Sequence, residues 1–99
     1  MTPFNFTTMS AYQGRNAADL SGPDLPAYAT FNQVASLGGH IKKGAKSIPI
    51  FCGYRAKEDK GKSVTVPTWG RVFHIDDCEL DPAFITHVKQ EIKKRKDAA

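Results

Sequence analysis

The apolar positions of the chain recur in patterns of two periods. Phe31, Val34, Ala35 and Leu37 return at helical spacing. Thr30, just ahead of them, is a favoured N-cap, and Gln33 three residues on can return a hydrogen bond to the Thr30 backbone, the reciprocal arrangement of a capping box. Gly38 and Gly39 permit the left-handed backbone on which helices end. A helix of roughly two turns is therefore predicted from Phe31, too short to stand alone, and Phe31, Val34 and Leu37 are expected to pack inward. A turn over residues 40–46 follows, anchored by Ile41 and carrying Lys42, Lys43 and Lys46 to solvent around Gly44. A second helix is signalled at Asp81 and Pro82, an N-cap followed by proline at the first helical position. Phe84, Ile85, Val88 and Ile92 continue it, and residues 93–96 place positive charge where the helix dipole favours it.

Between the helices the period changes to two. Residues 48–54 read as a strand, with Ile48, Ile50, Cys52 and Tyr54 on one face and Phe51 on the other. Pro49 lacks an N–H and points to a sheet edge. Residues 55–63 are charged and contain glycine, as an exposed hairpin loop would be, leading into a second strand at 62–66. Residues 69–75 read as a third, half-buried, with Arg71 on one side. Upstream, residues 14–20 suit a short helix, residues 21–26 with two prolines and a glycine suit a loop, and residues 1–10 suit an extended arm carrying Phe4 and Phe6. The predicted fold is α+β: a small, mainly antiparallel sheet of about three strands with two or three packed helices. A chain of 99 residues sustains one core and no second folded unit, so 1–99 forms a single domain with arm 1–10, body 11–80 and basic helix 81–97.

Charge sharpens this outline. The net charge of +4 is unevenly placed. Residues 40–62 hold six lysines and Arg55 against Glu58 and Asp59, residues 89–96 hold five basic side chains against Glu91, and an acidic stretch lies between them. A polyanion responds to such local concentration more than to the total. Cys52 and Cys78 belong to no C-x-x-C pair and are expected to be buried free thiols of a cytoplasmic protein. The N-terminal stretch has neither a basic leader nor a long apolar run, so no secretory signal or membrane span is expected.

The order T-F-x-Q-x-x-x-L-G-G-x-I-x-K-G-x-K, at Thr30, Phe31, Gln33, Leu37, Gly38, Gly39, Ile41, Lys43, Gly44 and Lys46, is followed by Arg71, Val72 and Phe73. Tyr12, Gly14, Asn16 and Leu20 precede it and resemble a family segment of the form Y-x-G-x-N-x-L-L. From about residue 10 to about residue 80 the chain resembles the N-terminal single-stranded-DNA-binding domain of ArdC antirestriction proteins, found also in plasmid primases. The resemblance implies a phage or plasmid protein that binds single-stranded DNA without sequence preference. Full-length members carry a metallopeptidase-like domain with an H-E-x-x-H motif; this sequence contains none, so that activity is not carried over.

The candidate DNA-binding residues are Arg15, Asn16, Lys42, Lys43, Lys46, Tyr54, Trp69 and Arg71. The cations would neutralise phosphates and release counterions, while Tyr54 and Trp69 offer faces on which bases stack. Tyr28 is a further ring; Phe31 and Phe73 are assigned to the core. Asn16 suits either a phosphate contact or a structural cap, and Gln33 is first a capping partner. His40, His74 and His87 come from a turn, a strand and a helix with no Cys or carboxylate at ligand spacing, which argues against a metal. Neither a G-x-x-x-x-G-K-[ST] nor a G-x-S-x-G motif occurs, so no catalytic residue and no cofactor are expected. Two other readings use the same charges: a small inhibitor docking on a host defence enzyme, and RNA binding by the basic C-terminal helix.

Overall fold

The computed structural model describes residues 2–22 and 25–98. Pro23 and Asp24 of the predicted loop lie outside them. In chain order the elements are β1 (Phe4–Asn5), α1 (Gly14–Leu20), β2 (Ala27–Ala29), α2 (Phe31–Ser36), β3 (His40–Ile41), β4 (Ile48–Asp59), β5 (Lys62–His74), a 3-10 turn (Ile75–Asp77), β6 (Cys78–Glu79) and α3 (Pro82–Ala98). The fold is α+β, with a larger sheet than predicted. Four strands lie in the order β1-β2-β5-β4, and β3 pairs separately with β6. The sheet is mixed, since β1 runs parallel to β2 while β2–β5 and β5–β4 are antiparallel.

The N-terminal segment is no loose arm. Phe4 and Phe6 are fully buried, and Phe4 lies in the sheet. Alternation along β2 and β5 divides the core in two. Ala27, Ala29 and Phe73 join Phe4, Phe6, Val34, Ile75, Cys78, Val88 and Ile92 on one side, while Tyr28, Val72, Ile50 and Leu20 form a second cluster. Arg95 clasps α3 to the N-terminal segment: its guanidinium lies 4.2 Å from the Phe4 ring centroid, donates to the Met9 carbonyl and pairs with Glu91 at 3.0 Å. One cation of the basic helix is thereby used inside the fold.

The capping box forms as predicted, with Gln33 N–H donating to Thr30 Oγ1 at 3.2 Å and Thr30 N–H donating to Gln33 Oε1 at 3.0 Å. Gln33 Oε1 also accepts from Asn5 Nδ2 at 2.8 Å, tying α2 to β1. Only Val34 of this helix is fully buried. Phe31 and Leu37, predicted to pack, are 59% and 44% exposed, because a helix of 6 residues presents a single turn to the core. Gly39 is needed for close approach: a Cβ there would lie 2.6 Å from the Glu79 carbonyl oxygen and 2.5 Å from Leu80 Cδ2.

The hairpin departs most from the sequence pattern. Residues 55–63 are not a loop; the ladder runs from Ile48↔Val72 to Asp59↔Lys62 and closes on Lys60 and Gly61. Both have positive φ, 51° and 76°, the pairing that suits tight hairpin turns. The strands predicted at 62–66 and 69–75 are one strand, continuous through Pro67. Proline is tolerated there because β5 meets β2 only at Phe73 and His74, which leaves one edge of the strand open. β4 is itself an edge strand, as Pro49 suggested.

Candidate nucleic-acid interface

The hairpin register sets Phe51 opposite Trp69. Pairing slips between Phe51 and Tyr54, where Gly53 takes φ 96°, a conformation that other residues rarely adopt. The bulge changes the parity of the strand. Tyr54 therefore shares the side of Phe51 and not that of Ile50, contrary to the alternation read from the sequence. The rings meet edge to face, at 5.1 Å between centroids for Phe51 and Tyr54 and 5.7 Å for Phe51 and Trp69. Tyr54 remains 68% and Trp69 53% exposed. Large flat rings held this open offer stacking surface.

Helix α1 is fastened to the edge of β4 by one side chain. Asn16 Nδ2 donates to the Phe51 carbonyl at 2.7 Å and its Oδ1 accepts from Phe51 N–H at 2.8 Å. These bonds satisfy backbone groups that an edge strand would otherwise present to solvent. Asn16 thus makes a structural contact, a clamp on a strand and not a helix cap. The clamp sets Arg15 with its guanidinium 5.4 Å from the Trp69 ring centroid. Asp19, one turn along, lies 3.7 Å from Arg15 Nε. Gln13, Gly14 and Arg15 face Phe51 and Tyr54 across an open cleft of about 520 Å3.

Arg71 lies two residues from Trp69 along β5, on the same side by alternation. Its Nη1 donates to Ser47 Oγ at 2.9 Å, which links the sheet to the end of the lysine turn. That turn is closed by Ala45 N–H on the Lys42 carbonyl at 3.1 Å and held by Lys42 N–H on the Asp77 carbonyl at 2.8 Å, with Ile41 half-buried beneath it. Lys43 and Lys46 are exposed and form no ion pair among the described residues. Lys42 is drawn elsewhere, to a cleft it lines with Asp76, Cys78 and Lys89.

Arg15, Asn16, Tyr54 and Trp69 thus gather about Phe51 and its strand partner, Arg71 reaches Ser47, the neighbour of Lys46, and Lys42 faces α3. Phe51, at the centre, was missed as a site residue. Its position opposite Ile50 was the available signal, but only the hairpin register reveals Trp69 as its partner. Lys57, Lys60 and Lys62 do not adjoin the lysine turn. They sit at the far end of a ribbon whose 12-residue strand spans roughly 35 Å. Among the histidines, His40 pairs with Glu79 at 2.6 Å, and His74 Nε2 meets the Leu25 carbonyl at 2.6 Å while Nδ1 accepts from Asp76 N–H. Cys78 is buried as predicted, but Cys52 is exposed.

The family model for the N-terminal domain of the anti-restriction factor ArdC matches residues 1–97. The chain belongs to this ArdC N-terminal family. The match runs further at both ends than the motifs over residues 10–80, in keeping with the burial of Phe4, Phe6, Val88 and Ile92 in a shared core. Crystal structures of the antirestriction ArdC protein from the plasmid R388 have a similar fold. The metal-free structure is 25% identical with a TM-score of 0.62, and the match covers 85% of this chain and 35% of that one. The Mn(II)-bound structure is 24% identical with a TM-score of 0.63, covering 81% and 35%. The chain spans about a third of the length of these ArdC structures. No curated protein matches it. Among the positions that carry the ArdC resemblance, Thr30, Gln33, Gly39, Ile41, Asn16 and Val72 serve the fold, while Lys43, Lys46 and Arg71 face solvent.

Proposed function

We propose that this domain binds single-stranded DNA with little sequence preference, as the non-catalytic DNA-holding part of a plasmid- or phage-encoded antirestriction protein acting in the cytoplasm. The observation that carries this reading is the placement of the Arg15 guanidinium over an exposed Trp69, beside the Phe51–Tyr54 pair. Bases stack on the rings, and Arg15, Arg71, Lys43 and Lys46 neutralise the phosphates that run past them. Asn16 positions Arg15 and does not touch the strand. Lys42 stands apart from this path.

The test is a fluorescence-anisotropy titration against single-stranded DNA, duplex and RNA at low and moderate salt. Single strands are expected to bind best, with affinity falling steeply as salt rises. Replacing Trp69 with Ala should cost roughly tenfold in affinity. The double change Lys43→Glu and Lys46→Glu should cost as much and flatten the salt dependence. Unaltered affinity in both variants would remove the interface. A protein partner such as a host defence enzyme is the second reading; its support is the exposure of Phe31 on α2 and of Leu37 at its C-cap. That reading alone predicts tight capture of the partner without any affinity for bare nucleic acid.

A further inference from the structure

We propose that the cleft between α1 and the hairpin receives the base of one nucleotide of the bound strand, beside the open stacking surface of Trp69. This rests on the single-strand reading of the site. The cleft is bounded by Gln13, Gly14 and Arg15 on one side and by Phe51 and Tyr54 on the other, and its volume of about 520 Å3 falls within the range of small-molecule pockets, which leaves room for a base. Its floor and its walls differ in chemistry. Tyr54, turned to the side of Phe51 by the Gly53 bulge, gives a flat ring on which a base stacks, with Phe51 packed against it near-perpendicular.

Gln13 supplies the polar wall. It stands at the N-cap position of α1, yet its side chain makes no capping hydrogen bond, and it has no side-chain partner among the described residues. A primary amide offers a donor beside an acceptor. The unpaired edge of every base likewise offers both, so Gln13 satisfies whichever base enters and imposes little sequence preference. Arg15, held at the rim by Trp69 and Asp19, meets the phosphate of the same nucleotide. Asn16 fixes α1 against Phe51 at the side of the cleft.

The experiment uses an oligothymidylate carrying 5-iodouracil, irradiated on the protein, with the adducts mapped by mass spectrometry. Adducts are expected on Tyr54 as well as Trp69. Gln13→Trp fills the cleft and should abolish the Tyr54 adduct, leave the Trp69 adduct and weaken binding roughly tenfold. Gln13→Ala, on an exposed residue with no packing to lose, should keep the Tyr54 adduct and weaken binding severalfold. Adducts on Trp69 without Tyr54, a Tyr54 adduct undiminished in Gln13→Trp, or unchanged affinity in Gln13→Ala would overturn the cleft while leaving the stacking surface standing. No binding and no adduct in the unmodified protein would remove both.

Discussion

Cys52 and Cys78 have the same side chain and opposite surroundings. Cys78 is buried, and burial together with the neighbouring Asp77 carboxylate pushes its thiol up to about 11, against a smaller opposing pull from Lys42. At pH 8 it stays protonated and screened, whereas Cys52 is exposed on the hairpin. Iodoacetamide at pH 8 should therefore label Cys52 in the folded protein and leave Cys78 unlabelled until denaturant is added, as peptide mass spectrometry will report. Equal labelling of both would show that the core around Ile75 and α3 does not cover the thiol. Residues whose partners are a few positions away were legible in the sequence: Thr30 with Gln33, Asp81 with the first turn of α3, Ile41 under the lysine turn. The exposure of Cys52 and Phe31 was not, since burial is decided by elements distant in the chain. Asn16 was legible only as a choice between two roles, because its partner lies 35 residues away.

At the scale of elements, helix starts were placed by their caps and strand lengths were not. Charged residues from 55 to 63 read as a loop, yet the turn at Lys60 and Gly61 lets them pair as a ladder in which neither face needs to be apolar. The same ladder creates the site by setting Phe51 against Trp69, which is why the cations and exposed rings were nameable from the sequence while the centre of their arrangement was not. α1 depends on its clamp. With 7 residues it lacks intrinsic stability, and Leu20 and Asn16 hold it to the sheet. Asn16→Ala should lower the unfolding free energy by roughly 1–2 kcal/mol through loss of two hydrogen bonds, measured by urea denaturation. The same change should weaken single-strand binding by releasing Arg15 from Trp69. Full stability with full affinity would mean that α1 is held by Leu20 alone.

The whole molecule is elongated, 52 × 32 × 21 Å, with a Cα radius of gyration of 15.7 Å, where a compact chain of this length would have about 13 Å. The excess is the ribbon. Beyond Tyr54 and Pro67 its residues are exposed or half-buried, and none belongs to either core cluster. Replacing residues 56–65 with a two-residue turn should accordingly change the unfolding free energy by less than about 1 kcal/mol and, on the single-strand reading, leave affinity within roughly threefold, since the proposed path runs past Tyr54, Trp69, Arg71, Lys43 and Lys46 and not along the outer ribbon. A larger fall in affinity would bring Lys57, Lys60 and Lys62 into the binding path. Among the described residues no helix is long and apolar enough to cross a membrane.

The interruption at Gly53 has a mechanical side. It breaks the ladder where the supported root of the hairpin gives way to its free-standing end. On the single-strand reading, a base stacked on Tyr54 would sit at that junction, on the last stretch of the hairpin that the body of the fold supports.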